Sequence, residues 1–317
     1  MRIVFIGTPD FARKSLEAIY NKGHEIIGVV TNPDKPKGRG MKMIMSPVKE
    51  FAIEKNIPIY QPIKVRNNEE FIEEIKNLKP DVICVVAYGK ILPKEILEIP
   101  EKGCINVHGS LLPKYRGAAP IQWAVLNGEE KTGITTMYMD IGMDTGDMIL
   151  KKEVEIGEDE TTGELWERLS KLGGQTLVET LEQIEKGTAS RIKQGVDFSM
   201  APMLNKEMAK IDWENKSARE IKNLVRGLNP IMGAFSMLNE KKLKLWKVQV
   251  VDFNEFPNLD KNMKNGTVIL SDSKKGLYIK AKDGIISVLE IQGENAKRMP
   301  ILDFLRGNQI DIGEIFE

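Results

Sequence analysis

Cysteine and histidine are nearly missing from this chain, at two each among 317 residues. Cys84 and Cys104 both lie within apolar runs, so they read as buried, reduced thiols of a cytoplasmic protein and exclude a disulfide framework. Two Cys and two His without ligand spacing give no basis for a metal site. Net charge is missing as well: 46 Lys+Arg balance 46 Asp+Glu, leaving no global field to gather a polyanion. No apolar run is long enough to span a bilayer, and the one at the start is too short for a signal segment, so neither membrane nor export is expected. Repeats and low-complexity tracts are absent. So is the dinucleotide fingerprint. The first strand-to-helix turn, Gly7-Thr8-Pro9-Asp10-Phe11-Ala12, holds one glycine where three are needed. Thr31-Asn32, not an acidic residue, ends the second strand, and NAD binding is excluded.

What is present is an ordinary globular composition, 41% hydrophobic and 29% charged, in a length that suits two domains. Strands are expected at 2–6, 26–30, 58–60, 81–86, 103–108, 133–139 and 148–156, alternating with helices for most of that stretch. This is an α/β domain over residues 1–189, Rossmann-like, with a mostly parallel sheet covered by helices on both faces. Periodicity fades over 190–205, which reads as a linker. From 206 to 317 one helix, capped by Ser217, precedes five short alternating strands, and a last helix is expected near 300–306. That pattern predicts a small β-barrel, an architecture often used on nucleic acids. Lys241, Lys242, Lys244 and Lys247 around Leu243-Leu245-Trp246 form its densest basic patch, against the plainer reading of a solvated strand face.

Chemistry concentrates in Gly103 to Pro120. On an extended strand residues two apart share a side, so Asn106 and His108 point together. An amide that donates and an imidazole that donates or accepts could stabilise an oxyanion and handle a proton. The plainer reading is a strand end satisfying its own loop. Cys104 has the same parity and reads as packing. Asp140-Ile141-Gly142-Met143-Asp144-Thr145-Gly146-Asp147 is either a turn using Asp for local hydrogen bonds or a loop sending one carboxylate back to His108. The loop at 31–47 alternates Lys35, Lys37, Arg39 and Lys42 with glycine, proline and methionine. It is either a solvated charge run or a basic arm for phosphate, with Met41, Met43 and Met45 as adaptable contacts. Gly7-Thr8-Pro9, Ala87-Tyr88-Gly89 and His108-Gly109-Ser110 all follow parallel strands, where ligand crevices form.

Asn106-Val107-His108-Gly109-Ser110-Leu111-Leu112-Pro113, followed by Asp144-Thr145-Gly146, resembles the signature of the folate-dependent formyltransferase superfamily. The likeness continues through 5–11, 38–40, 86–89, 103–120, 139–148 and 211–213. It implies transfer of a formyl group from 10-formyltetrahydrofolate to the α-amino group of methionine esterified to initiator tRNA. By the same resemblance Asn106, His108 and Asp144 are the catalytic residues. Asp144 either orients His108 or moves protons through a water. Tyr88, Gly89, Leu92, Ser110, Leu111, Leu112 and Pro113 take the folate, and no metal is involved. Lys35, Lys37, Arg39 and Lys42, with Lys241, Lys242 and Lys244 of an OB-like second domain, contact tRNA. Sister enzymes acting on amino-sugar nucleotides or glycinamide ribonucleotide, and formyl-folate hydrolases, would share the same three residues. A non-catalytic nucleotide-binding module joined to an RNA-binding barrel would leave that trio unexplained. A monomer without an obligate protein partner is expected.

Overall fold

The computed structural model describes residues 1–37 and 42–317, which fall into two units. The first comprises Met1–Pro120, Lys131–Glu155 and Trp166–Pro202; the second comprises Ile121–Glu130, Ile156–Leu165 and Met203–Glu317.

In the first unit the chain order is β1 (Arg2–Gly7), α1 (Asp10–Asn21), β2 (Glu25–Val30), β3 (Lys35–Lys37), β4 (Lys42–Ile44), α2 (Pro47–Glu54), β5 (Ile59–Tyr60), α3 (Glu69–Leu78), β6 (Val82–Val86), α4 (Lys94–Leu97) and β7 (Cys104–His108). After α5 (Pro120–Leu126), which falls almost wholly in the second unit, the first unit resumes with β8 (Lys131–Tyr138), β9 (Met148–Glu155) and α6 (Thr162–Glu185) from Trp166 on. The sheet runs β5-β2-β1-β6-β7-β8-β9. Its first five strands are parallel and the last two antiparallel.

The all-apolar strands predict a sheet covered on both faces, and period-2 alternation sorts their side chains. Val4, Ile6, Ile83, Val85 and Cys104 form one core with Phe71, Ile72 and Ile75 of α3 and Ile96 of α4. Opposite lies α1, whose Phe11 ring meets Trp166 edge-on at 5.1 Å. There α6 comes so close that a Cβ on Gly173 would stand 3.2 Å from Val107, and one on Gly174 3.0 Å from Ala18. Ser46 caps α2, accepting from Lys49 N at 3.1 Å, with proline at the first helical position.

Two stretches differ from the sequence reading. Within the expected loop 31–47, β3 and β4 pair antiparallel, Lys35 opposite Ile44. Where composition suggests a linker at 190–205, main-chain pairing ties residues 192–201 into the first unit. Ile192 and Met148 exchange two hydrogen bonds, Arg116 N donates to Ser199 O at 2.9 Å, and Ala201 N donates to Arg116 O at 2.7 Å. Such bonds leave no trace in composition.

The second unit contains α7 (Ala218–Gly227), β10 (Ala234–Leu238), β11 (Lys241–Val251), β12 (Val268–Asp272), β13 (Gly276–Lys280), β14 (Ile285–Gln292), β15 (Met299–Pro300) and α8 (Ile301–Gly307). Ser217 and Glu220 form a capping box at α7. The strands are antiparallel in the order β10-β11-β14-β13-β12, with β15 beside β14. Residues 313–317 then bridge the edges. On the β12 side Val268 N donates to Glu314 O at 2.8 Å and Gly313 N to Val268 O at 2.9 Å; on the β10 side Met237 and Glu317 exchange bonds of 2.7 and 2.8 Å. The short antiparallel strands expected in this part of the chain are present as one sheet, and its two edge strands both bond to a segment with no alternating pattern of its own. Among the described residues no helix is long and apolar enough to cross a membrane.

Candidate active site

Alternation along β7 sends Cys104, Asn106 and His108 to one side. Cys104 is buried against the α4 carbonyls of Ile96 and Leu97, and burial pushes its thiol pKa up to about 12. It is packing. Asn106 and His108 continue that row to the carboxyl end of the strand, where the core gives way to loops.

Two loops close on them. Asp144 stands at φ +53°, a left-handed conformation that aspartate tolerates. Its Oδ1 lies 3.4 Å from Asn106 Nδ2, and its Oδ2 lies 3.7 Å from His108 Nδ1. The second distance suits an ion pair and exceeds a hydrogen bond. Gly117 N donates to the same Oδ2 at 2.8 Å, which fixes the carboxylate. The other aspartates of this loop behave differently: Asp140 accepts from Ile141 N at 2.6 Å, and Asp147 faces Arg191 at 3.8 Å. Both readings of the loop are therefore realised, turn-making by Asp140 and reach toward the histidine by Asp144.

His108 Nε2 lies 2.8 Å from the carbonyl of Tyr115. A carbonyl only accepts, so Nε2 carries the proton and Nδ1 is the nitrogen free to take another. The imidazole is buried, and Nδ1 faces the carboxylate. An amide donor, a proton acceptor and an anion to stabilise the protonated acceptor are thus held within a few ångströms.

The following segment is pinned by Thr135, which stands opposite His108 on β8. Its hydroxyl donates to Ser110 O at 2.7 Å and accepts from Leu112 N at 3.1 Å. Ser110 Oγ donates to Lys114 O at 2.6 Å. Leu112, in cis linkage to Pro113, packs with Met137 and Met148, while Leu111 and Pro113 are half-buried. On the neighbouring strand end, Tyr88 and Leu92 place their side chains in the core under α3 and α4. The Tyr88 hydroxyl is buried without a partner, and burial pushes its pKa to about 12. Gly89 is exposed at φ +76°, and a Cβ there would meet nothing within 4 Å.

At the ends of β1, β2 and β6, Asn32 Nδ2 donates to Thr8 Oγ1 at 3.0 Å and to Tyr88 O at 2.9 Å. The position where a dinucleotide fold would keep a ribose-binding acid is committed to cross-linking strand ends. Among the described residues no group of three His, Cys, Asp or Glu side chains could hold a metal ion.

The basic candidates are dispersed. Arg39 lies outside the described residues; Lys37 and Lys42 pair across β3 and β4, and Lys35 is exposed at the base of that hairpin. Lys241 is exposed at the start of β11. Lys242 Nζ sits 3.5 Å over the Phe235 ring, and Lys244 Nζ donates to Met232 O at 2.8 Å while lying 5.5 Å over Trp246. Burial, then Lys242, lowers the Lys244 pKa. Arg298 covers Trp246 as well, at 5.2 Å. Sequence reasoning missed Thr135, the Tyr115 carbonyl, Gly117, Gln194, Phe235 and Arg298; the strand pairing of β7 with β8 could have pointed to Thr135, and nothing local marks the others.

The carboxyl edge of the parallel strands carries Asn106 and His108 in place of a phosphate-cradling glycine turn, which makes this an α/β domain with a proton-handling crevice, followed in the chain by an antiparallel β domain. Comparison with known proteins makes the class specific. The formyl transferase family matches residues 1–181, and its C-terminal domain matches residues 203–309. The methionyl-tRNA formyltransferase of Clostridioides difficile (strain 630) is 55% identical over 314 residues, 99% of each chain. The chain belongs to the formyl transferase family. Two solved structures share the fold. WlaRD, a sugar 3N-formyl transferase determined with dTDP and 5-N-formyl-THF, has a TM-score of 0.66 at 22% identity, over 94% of this chain and 99% of that one. HypX from Aquifex aeolicus in complex with tetrahydrofolic acid has a TM-score of 0.64 at 16% identity, over 99% of this chain. This chain spans about half the length of HypX, 50% of it.

Proposed function

We propose that this protein transfers the formyl group of 10-formyltetrahydrofolate to the α-amino group of methionyl initiator tRNA, with Asn106, His108 and Asp144 as its catalytic residues. The observation that carries the assignment is the 55% identity to a methionyl-tRNA formyltransferase over 99% of each chain, and the catalytic roles rest on Asp144 meeting Asn106 and His108 of β7 at 3.4 and 3.7 Å. The donor supplies an activated formyl carbon. As the amine attacks it, negative charge grows on the formyl oxygen, and one Asn106 Nδ2 proton donates to that oxygen while the other faces Asp144. Such a donor is worth about two to three orders of magnitude in rate. His108 Nδ1 takes the proton that the amine sheds, the resulting imidazolium lies against the Asp144 carboxylate, and as the formyl C–N10 bond breaks that proton passes to the departing folate nitrogen, leaving tetrahydrofolate and a neutral imidazole. No covalent bond to the enzyme forms.

Gly89, Leu111 and Pro113 hold the pterin, with Thr135 and Ser110 shaping the 110–114 loop around it. Tyr88 and Leu92 support that wall from the core side. The second unit, beyond the segment around 203, engages tRNA. Lys241, exposed, and Lys242 and Lys244, half-buried over the Phe235 ring and the buried Trp246, supply basic groups for phosphates. Lys35, Lys37, Arg39 and Lys42 of the first unit grip the acceptor end. The protein works as a cytoplasmic monomer, without membrane or obligate protein partner. Incubation with formyl-folate and charged initiator tRNA, followed by detection of formyl-methionine, tests the reading. Formylation of a nucleotide-linked amino sugar with none on tRNA would overturn it.

A further inference from the structure

Gln194 lies in the stretch that composition marks as a linker, yet it makes four polar contacts at the site. Its Nε2 donates to Asp144 O at 2.8 Å and to Gly146 O at 2.9 Å. Its Oε1 accepts from Arg116 Nε at 3.0 Å and from Arg116 Nη2 at 2.7 Å. Every polar atom of the amide is used. Arg116 is 8% exposed, its guanidinium lies 4.6 Å over the Phe198 ring, and among the described residues no carboxylate forms an ion pair with it. A buried guanidinium that spends two N–H groups on one amide oxygen polarises that amide and strengthens the bonds its N–H groups donate.

The loops joined here are the two that set the trio. Arg116 sits between Tyr115, whose carbonyl holds His108 Nε2 at 2.8 Å, and Gly117, whose N–H holds Asp144 Oδ2 at 2.8 Å. Gln194 grips the main chain of Asp144 itself. We propose that Gln194 is a positioning residue for formyl transfer, locking the Asp144 loop to the 115–117 loop through Arg116 so that the carboxylate faces His108 Nδ1. The proposal rests on the catalytic reading above. A displacement of about 1 Å in such a group costs on the order of a hundredfold in rate.

Gln194→Glu separates the two halves of the contact. It keeps an acceptor for Arg116 but turns a second oxygen toward the carbonyls of Asp144 and Gly146. Gln194→Ala removes both halves. Each variant is expected to lose about ten- to a hundredfold in kcat, with KM for formyl-folate and for charged tRNA within about twofold of the parent. The decisive readout is coupling: in an Asp144→Asn background, Gln194→Ala lowers the residual single-turnover rate by less than about twofold, because the group it positions is already disabled. A merely structural role predicts multiplication of the two losses and a shift in KM, and either result overturns the proposal, as does parental kcat in Gln194→Ala. If Gln194→Ala unfolds on heating well below the parent, Gln194→Glu, which preserves volume, decides by the same criteria. The parent's own activity on charged tRNA tests the functional reading separately. Should the parent formylate another amine, the same variant ratios measured on that amine test the positioning role.

Discussion

Replacing Asp144 by asparagine removes one charge and turns an amide NH2 toward Asn106 Nδ2 in place of the Oδ1 that lies 3.4 Å from it. The amide oxygen can still accept the Gly117 N–H that now meets Oδ2 at 2.8 Å, so the loop keeps its anchor. What is lost is the anion 3.7 Å from His108 Nδ1. Both side chains are largely shielded, 6% exposed for His108 and 13% for Asp144, so screening by water is weak. At that separation, with an effective dielectric constant of about 20, opposite unit charges attract by about 4 kcal/mol. If the imidazolium forms in the rate-limiting barrier, the whole of that attraction is missing from the transition state. The formyl-transfer rate then falls by about a thousandfold. The measurement is single-turnover transfer at saturating formyl-folate and charged tRNA, quenched and read as formyl-methionine. Far-ultraviolet circular dichroism and the thermal midpoint should match the parent. A variant that folds normally and stays within about tenfold of the parental rate would refute a carboxylate-stabilised imidazolium.

Three further outcomes follow from geometry away from that ion pair. Gly117→Ala must place a Cβ 2.7 Å from Ala201 O at φ +123°, so it should cost roughly 1–3 kcal/mol in thermal unfolding and also slow turnover, since the same residue anchors Asp144. Neither Cys84 nor Cys104, both buried, with burial raising both thiol pKa values, should react with a thiol reagent in mildly alkaline buffer until guanidinium unfolds the chain. Glu220 is held down to about 2 by Lys216 first and then by the N–H and hydroxyl of Ser217. Its contribution is therefore present above the usual carboxylate range and lost as pH falls toward 2. Urea midpoints at neutral and acid pH should fall further in the parent than in Glu220→Gln, by under about 1 kcal/mol because the pair is half exposed.

The trio was readable because each member carries a local signal. The parity of Asn106 and His108 needs only a strand, and the resemblance that joins Asp144 to them is a run of identities. The supporting shell carries none. Gln194 is one polar residue among many in an aperiodic stretch, and its role exists only through bonds to residues 48 to 78 positions away. The hairpin of β3 and β4 was hidden because Pro36 and the lysines have low strand propensity. Tyr88 and Leu92 were placed by resemblance on the ligand side, whereas the burial of their side chains follows from how α3 and α4 cover the sheet. Segment 313–317 lacks alternation, since its partners are main chain on two sides.

That last segment bears on how the antiparallel sheet of the second unit can be assembled by a ribosome. Ser236 and Glu317, hydrogen-bonded at 2.9 Å, are separated by 81 positions, so β10 and β12 emerge long before the stave that seals them. Until it arrives each presents a row of unsatisfied main-chain groups, a template for pairing with another nascent copy. Fusion of an affinity handle directly onto Glu317, or trimming back past Gly313, should therefore show first as aggregation during expression, ahead of any change in catalysis.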